Sequence, residues 1–274
     1  GTKTNVFAVP KSIPNFLEKM LICTIISHMS NKSKLNTAIG IGILILIIGG
    51  ILYNTGYRLT DHYWIGKIGQ VHITLALPNT TVIIDQNTKI TTTKDNETVT
   101  VPLSPRHHNI IVTREGYFPW TKNITVPTNG SVSLKPFFVS QNQSGQIITQ
   151  NDPEYWTIKY SVQTKALPTK DNPLVASDNT RLWVEENSIL TQLGTSTVHT
   201  VITPDTIVRN VTFYKNRSDA IIFSTYNSVY VIESSTDSIQ NFMPLYKGGS
   251  PLFIPVDENS LYVLDGDTLM QVVI

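Results

Sequence analysis

The sequence contains one cysteine, Cys23, among 274 residues. A single thiol excludes an internal disulfide, so the fold depends on packing and hydrogen bonds. An excess of charge of one sign is missing too, since 21 Lys and Arg oppose 20 Asp and Glu, for a formal net charge of +1. A nearly neutral chain gives no electrostatic reason to expect nucleic acid as a partner.

Sequence motifs of enzymes are also missing. The chain has no glycine-rich phosphate loop, no nucleophile elbow, no zinc-ligand spacing and no complete EF-hand loop. Asp265-Gly266-Asp267 matches part of a calcium loop, but a glycine between two aspartates is also typical of a hairpin turn. We therefore predict no enzymatic activity, no catalytic or cofactor-binding residue, no metal site and no cofactor.

One long hydrophobic run is present. The segment 35–53 reads LNTAIGIGILILIIGGILY, without a charge and with eleven Leu or Ile in nineteen positions. As a helix it is about 28 Å long, close to the hydrocarbon thickness of about 30 Å. A buried core helix and a cleaved signal peptide are the alternatives, although the apolar part of a signal peptide has only about 7 to 15 residues. We predict a transmembrane helix over 35–53 that contacts membrane lipid.

Basic residues flank this run unequally. Lys32 and Lys34 directly precede it, whereas Arg58 and Lys67 follow at a greater distance. Because Lys and Arg are enriched on the cytoplasmic side of a span, the distribution predicts a cytoplasmic N-terminus and an extracytoplasmic C-terminal region. Residues 1–34 are then a cytoplasmic tail or a leader.

After a predicted linker over 54–70, the chain reads as short strands. Val71, Ile73, Leu75 and Leu77 share one face of the first strand, which is the period of a half-buried strand. Five further runs rich in β-branched residues follow, with Asn, Gly, Pro and Asp between them, at 81–85, 97–103, 109–113, 122–126 and 131–137. These runs predict a small antiparallel β-sandwich.

Several residues of this region resemble the PEGA domain family. A turn of the form Leu-x-Pro-x-x-His and a strand that ends in Gly-Tyr match the family, and the naming motif is weak because Asn79-Thr80-Thr81 replace Glu-Gly-Ala. The resemblance covers 71–139. It implies a β-sandwich in a binding module of the cell envelope. The residues that carry the motif are Pro105, His108, Gly116 and Tyr117.

Some of these residues have a physical reason that is independent of the family. Gly116 directly follows a strand, where a positive φ or close backbone approach is cheap only for glycine. Tyr117 can bury its ring at the sandwich edge, and Tyr117, Phe118 and Trp120 form either an edge packing or an exposed binding patch. His107 and His108 point to opposite faces of a strand and so do not share a metal ion, which leaves a core-edge role for His108.

A hairpin pattern recurs in the C-terminal part. The segments NTRLWVE, NSVYVIE and NSLYVLD begin at Asn179, Asn227 and Asn259, and each follows another strand-like run. The offsets of 48 and 32 residues average 40, close to the roughly 40 to 45 residues of a propeller blade, although similar hairpins also occur in an ordinary sandwich. Asparagine accepts positive φ in a turn, and we expect the acidic residue to close onto the next turn.

These repeats predict an incomplete β-propeller-like domain over 157–274, after a linker over 140–156. Two or three blades do not close a ring that needs at least four. The chain stops within a predicted strand, so we expect a truncated domain whose last strand edge is unpaired.

Together these features predict a mainly β protein with one N-terminal transmembrane helix, a PEGA-like sandwich and a partial propeller. The predicted function is that of a single-pass, membrane-anchored extracytoplasmic binding or structural protein of the cell envelope. Its expected partners are a cell-wall polymer, a surface-layer protein or another membrane protein. The alternatives are a sensor or regulatory subunit of a membrane complex, and the N-terminal part of an envelope enzyme.

Overall fold

The structure is a computed structural model that describes residues 31–54, 57–59 and 65–274. The chain divides into two compact units, Gly1–Ile68 and Gly69–Ile274. The predicted leader or tail lies mostly outside the described residues, as does part of the predicted linker over 54–70.

The first unit contains the apolar helix. Helix α1 (Asn31–Asn54) has Ile and Leu around its whole circumference, so it has no polar face. Its segment Asn36–Asn54 is long and apolar enough to cross a membrane, and none of that window is buried. The alternative of a buried core helix therefore has no support here. Strands β1 (Tyr57–Leu59) and β2 (Ile65–Lys67) follow as a short antiparallel pair.

The second unit begins with a sandwich of a three-stranded sheet and a four-stranded sheet. The three-stranded sheet has the order β6-β3-β9 and the four-stranded sheet has the order β5-β4-β7-β8. The strands are β3 (Gly69–Leu75), β4 (Thr81–Ile84), β5 (Thr88–Thr91), β6 (Glu97–Leu103), β7 (His107–Thr113), β8 (Trp120–Thr125) and β9 (Ser131–Leu134). Strand β5 was not predicted from the sequence.

The prediction of a purely antiparallel sandwich is wrong in one pairing, because β9 lies parallel to β3. The chain crosses from one sheet to the other between Thr125 and Ser131, and therefore returns beside β3 in the same direction. Gly69 allows this crossing, since a Cβ there would collide with the carbonyl oxygen of Pro127.

The predicted inward face of the first strand is confirmed for Val71, Ile73 and Leu75, whereas Leu77 lies beyond the end of β3 and is only partly buried. Val71, Ile73 and Leu75 have no exposed surface, and Val82 and Trp120 bury beside them. Trp120 is in the core and Tyr117 and Phe118 pack against it, so edge packing, rather than an exposed aromatic patch, describes these rings.

Three four-stranded antiparallel sheets make up the rest of the unit. Sheet I contains β11 (Leu174–Val175), β12 (Thr180–Glu185), β13 (Ser188–Leu193) and β14 (His199–Ile202). Sheet II contains β15 (Asn210–Tyr214), β16 (Arg217–Ser224), β17 (Ser228–Glu233) and β18 (Phe242–Lys247). Sheet III contains β19 (Pro251–Pro255), β20 (Ser260–Asp265), β21 (Thr268–Val273) and β10 (Gly145–Ile148). Within the described residues these sheets do not form a closed propeller.

The three predicted hairpins are confirmed as antiparallel pairs, β11–β12, β16–β17 and β19–β20. In sheet I, and in sheet III apart from β10, the hairpin supplies the first two strands along the chain, whereas in sheet II strand β15 precedes it. This extra strand explains why the first offset, 48 residues, exceeds the second, 32 residues.

The prediction of an unpaired last strand edge is wrong. Strand β21 pairs with β20 on one side and with β10 on the other, in a register that joins Gly145 to Val272 and Ile148 to Leu269. Strand β10 comes from the segment predicted as a linker over 140–156. A four-residue strand among Gln, Asn and Ser has too little periodicity to be recognised without its partner.

Helix α2 (Tyr155–Thr164) was also missed by the sequence reading. Its buried residues Tyr155, Ile158 and Val162 have helical spacing and contact Leu264 and Leu269 of sheet III. The spacing of these three residues is the signal that predicts a helix.

One hydrophobic cluster extends through most of the second unit. It joins sandwich residues such as Ile73 and Trp120 to Val231 of sheet II and to Phe253 and Val272 of sheet III. The regions predicted as separate domains, 71–139 and 157–274, therefore share a core.

The free edge of strand β8 is covered by side chains from the loop that precedes β18. The Asn241 amide donates to Thr121 O at 2.9 Å and accepts from Thr121 N at 2.8 Å. Ser238 Oγ likewise donates to Asn123 O at 2.7 Å and accepts from Asn123 N at 3.1 Å. These side chains replace a neighbouring strand and block the edge against pairing with another chain.

A buried ion pair reinforces this contact. Lys122 occupies an inward position of β8 between Trp120 and Ile124, and its Nζ lies 2.9 Å from Glu233 Oε1. The side chains are only 11% and 12% exposed. Glu233 Oε2 also accepts from the Asn241 amide at 2.9 Å, so one carboxylate serves both contacts.

Loss of one partner of this ion pair should be costly, because it leaves the other charge buried without compensation. We expect Lys122→Met to lower the free energy of unfolding by about 3 kcal/mol or more, measured by urea unfolding. The double variant Lys122→Met, Glu233→Gln should lose less than the sum of the two single variants. Lys89→Met, on an exposed position of β5, is the matched control, and an equal effect of both lysine substitutions would contradict the role of the ion pair.

Candidate functional site

The predicted motif residue His108 lies in the core edge of the sandwich. Its ring is buried, with Nδ1 2.7 Å from Asp85 Oδ2 and Nε2 2.8 Å from Ser104 O. The neighbouring His107 is exposed and contacts Thr125 Oγ1 at 2.8 Å. The two histidines therefore face opposite sides of β7, as predicted.

Asp85 directly follows β4, and its carboxylate contacts the turn before β7 and the start of β7. Its Oδ1 accepts from Asn109 N at 2.9 Å, and Arg106 Nη2 lies 3.4 Å from Oδ2. Burial by itself raises the pKa of the Asp85 carboxyl, but the hydrogen bonds from Asn109 and His108 and the charges of His108 and Arg106 together lower it below its ordinary value.

The other motif residues are Pro105, in the turn between β6 and β7, and Gly116 and Tyr117, in the segment after β7. Gly116 has φ +79°, which confirms the predicted positive φ, and its carbonyl accepts from Gln141 N at 2.8 Å. Tyr117 is half-buried, packs edge-to-face on Phe138 at 6.0 Å, and lies under the Arg114 guanidinium at 4.9 Å. These packing and hydrogen-bond contacts stabilise the fold.

Only one of the three repeat asparagines has the predicted conformation. Asn179 has φ +67°, whereas Asn227 and Asn259 do not have positive φ, so the prediction was wrong for those two. Instead, the backbone carbonyl groups of all three asparagines accept equivalent hydrogen bonds. Each carbonyl accepts an N–H from the residue that follows a later strand of the same sheet: Gly194 for Asn179, Gly248 for Asn227 and Ile274 for Asn259.

The acidic residues of the repeats are not equivalent. Asp265 accepts from Gly249 N and Ser250 N and from the Tyr246 hydroxyl, so it closes onto the turn before β19, which precedes it in the chain, and not onto the next turn that was predicted. Burial and this hydrogen bond raise the pKa of Tyr246 to about 12. Asp267, the other aspartate of the Asp-Gly-Asp sequence, instead pairs with Lys159 at 3.2 Å. Over the described ranges, no group of three or more His, Cys, Asp or Glu is placed to hold a metal ion.

The candidate site is a cleft of about 320 Å³ between the sandwich, sheet II and the end of sheet III, which we call the junction cleft. The residues of its wall are mainly aromatic or aliphatic, and hydroxyl and amide groups lie at its rim. Two cationic side chains, Lys215 and Arg217, also line it. The lining residues are Ala76, Leu77, Tyr117, Pro136, Phe137, Phe138, Ser140, Asn142, Gln143, Ser144, Tyr214, Lys215, Arg217, Val273 and Ile274.

Tyr214 fixes one wall of the junction cleft. Its hydroxyl donates to Phe138 O at 2.7 Å in a buried contact, and its ring packs against Phe137 with centroids 6.0 Å apart. Burial raises the pKa of the Tyr214 hydroxyl far above its ordinary value, so it remains a neutral donor. The wall is therefore held by a hydrogen bond that crosses from sheet II to the sandwich.

The two cations at the cleft have different surroundings. Arg217 donates to Asp219 Oδ1 and Oδ2 at 2.8 and 2.7 Å, and to the carbonyls of Lys135 and Pro136. Lys215 has no such partner in the part of the chain that the structure describes, and its Nζ lies 5.6 Å from the centroid of the Tyr214 ring. Burial lowers the pKa of the Lys215 ammonium below its ordinary value.

Of the residues predicted from the sequence, the structure brings only Tyr117 to the junction cleft. His108 and Pro105 lie at the turn before β7, and the repeat asparagines lie in loops of the three sheets. Lys215 was missed. A Lys-Asn pair between two strand-like runs, where Asn-Gly is preferred, is the signal that could have singled it out.

Comparison of the sequence with models of known protein families and with curated proteins finds no match for this chain.

The Asp85 cluster makes a prediction about acid stability. The folded pKa of Asp85 lies below the unfolded value of about 3.9, so its stabilisation is present above about pH 4 and is lost as the pH falls through the folded pKa. We expect Asp85→Asn to lower the free energy of unfolding by about 2 kcal/mol at pH 7 and to weaken its pH dependence below pH 4. Urea unfolding at several pH values measures both effects. Asp95→Asn, at an exposed turn position, is the control, and an unchanged acid slope in Asp85→Asn would contradict the assignment.

Proposed function

We propose that this protein is a single-pass, membrane-anchored binding protein whose β-unit lies outside the cytoplasm, in the cell envelope. The observation that carries the proposal is helix α1, whose apolar segment Asn36–Asn54 has no buried residue. Exposure of so many Ile and Leu side chains to water is unfavourable by about 25 cal/mol per Å² of apolar surface, and a bilayer removes that cost.

The orientation is supported by the flanking charges. Lys32 and Lys34 lie at the start of helix α1, and the acidic residues Asp and Glu are missing from the whole helix. In the proposed topology these lysines face the cytoplasm, and Gly69–Ile274 lies on the opposite side of the membrane.

We also propose that the sandwich is a PEGA-like domain and that sheets I, II and III are part of a propeller-like domain. Support for the first comes from the two packed sheets and from His108, which ties the Leu-x-Pro-x-x-His turn to Asp85. Support for the second comes from three successive four-stranded antiparallel sheets with the same carbonyl contact at each repeat asparagine.

A binding role suits this architecture. A β-unit whose sandwich, sheet II and sheet III share a hydrophobic cluster presents loops and a cleft in fixed positions, and needs no reactive side chain to do so. The junction cleft is the concave surface that combines aromatic rings with polar groups, which is the usual composition of a ligand site. Cell-wall polymer, surface-layer protein and other membrane proteins are the proposed partner classes.

Membrane topology provides the test. The protein should stay in the membrane fraction after alkaline extraction, and protease added to intact cells should digest Gly69–Ile274 without opening of the cell. A variant that lacks 36–54 is the control and should be found in the soluble fraction. Digestion only after the cells are opened would contradict the orientation, and release of the full-length protein by alkali would contradict the anchor.

The binding role is tested separately with the full chain in non-ionic detergent. Immobilised protein should retain solubilised wall material or an envelope protein, whereas protein unfolded by heat should not. If neither kind of envelope material is retained, the proposed binding role fails while the anchor remains.

A further inference from the structure

We propose that the junction cleft binds a small organic anion, with its charged group at Lys215 and its apolar body against the aromatic wall. This inference deepens the proposed function, since it assigns a ligand class to the cleft of the anchored protein. It rests on three observations: an unpaired cation, an aromatic wall held rigidly in place, and a volume that suits a small ligand.

The unpaired cation is Lys215. Transfer of a charge from water into a partly apolar surface is unfavourable unless a group of opposite charge accompanies it. Lys215 is half-buried, and among the described residues no carboxylate or carbonyl accepts from its ammonium. Its one close neighbour is the face of the Tyr214 ring, at 5.6 Å, which only weakly compensates a cation. An anionic ligand would supply the missing partner.

Arg217, the other cation at the cleft, differs from Lys215 because its charge has a partner. Asp219 neutralises its guanidinium through two hydrogen bonds, and the carbonyls of Lys135 and Pro136 accept two more, so four of its five N–H groups have partners. Arg217 therefore supports the wall of the cleft, and its charge is already paired with Asp219. The positive charge that faces the cleft without compensation belongs to Lys215.

The backbone gives no other reason for a lysine here. Lys215 and Asn216 form the two-residue loop between β15 and β16, with φ of +49° and +55°. Asparagine and glycine are preferred in this conformation, and other residues with a Cβ cost about 1 kcal/mol or more. A lysine at this position is thus unfavourable for the loop, and among the described residues its side chain has only the cation–π contact with Tyr214 to offset this.

The apolar body of the ligand would contact Leu77, Tyr117 and Ile274, which are partly exposed at the cleft. In contrast, Phe137, Phe138 and Tyr214 are almost fully buried and make its wall rigid. Tyr117, Phe137, Phe138 and Tyr214 line the cleft, and their positions are fixed by the Tyr214–Phe138 hydrogen bond and by two edge-to-face ring contacts. A volume of about 320 Å³ lies at the lower end of the range of ligand sites, about 300 to 1,000 Å³. The ligand class is accordingly a small carboxylate with a planar or compact apolar body.

The test uses the full chain in non-ionic detergent, with 2-naphthoate as the anion and 2-naphthamide as a neutral compound of the same shape. Isothermal titration calorimetry, corrected for titration into detergent alone, should show that the anion binds about 10-fold more tightly than the amide, as expected for a charged hydrogen bond. Bound naphthoate should also protect Lys215 from reductive methylation, as detected by mass spectrometry.

Two variants of Lys215 separate a binding role from a folding role. Lys215→Asn removes the charge and places a preferred residue in the loop, so the protein should unfold at the same or a higher urea concentration and still bind naphthoate about 10-fold more weakly. Lys215→Arg keeps the charge and should retain binding within about 3-fold. Lys89→Asn, at an exposed position on β5 away from the cleft, should leave naphthoate binding unchanged.

Equal affinity of the wild type and Lys215→Asn for naphthoate would overturn the proposal, as would equal affinity of the wild type for naphthoate and naphthamide. An absence of naphthoate binding, with Lys215 fully methylated in its presence, would also overturn it. None of these outcomes affects the membrane anchor, because the topology experiment does not depend on a ligand.

Discussion

The second unit depends on the contact between the sandwich and sheet II, where buried polar groups must find partners. The edge of β8 carries backbone N–H and C=O groups that solvent or another strand must satisfy. Asn241 and Ser238 satisfy Thr121 and Asn123 from outside the sheet, and Lys122 and Glu233 form a buried ion pair beside them. These polar contacts lie beside the hydrophobic cluster that spans both regions, to which Trp120 and Ile124 of β8 belong.

The same junction generates the candidate site. Where the sandwich and the sheets meet, the Tyr214 hydroxyl bonds to the Phe138 carbonyl and Arg217 bonds to the segment after β9. The space left between these contacts is the junction cleft, so its walls are held by groups that also hold the two regions together. Lys215 stands apart, since it lines the cleft and takes no part in the contact. This difference between supporting residues and an uncommitted cation is the reason to assign the ligand to Lys215.

The sequence correctly predicts the features that depend on a single segment of the chain. The inward face of β3, the positive φ of Gly116 and the opposite orientation of His107 and His108 follow from local geometry, and all are present in the structure. It failed where a distant segment decides. Strand β10 exists because it completes sheet III, the parallel pairing of β9 depends on a crossing between sheets, and Asn227 and Asn259 act through carbonyls bonded to distant N–H groups.

The sequence by itself determined that the protein is mainly β, that one helix is apolar on every side, and where the repeated hairpins lie, because period and composition are local properties of the chain. Tertiary structure alone decided which strands complete each sheet, that Lys122 has a buried acidic partner, and that Lys215 has none among the described residues. These outcomes depend on groups far apart in the chain, Lys122 and Glu233 among them, whose proximity arises only when the sheets pack together.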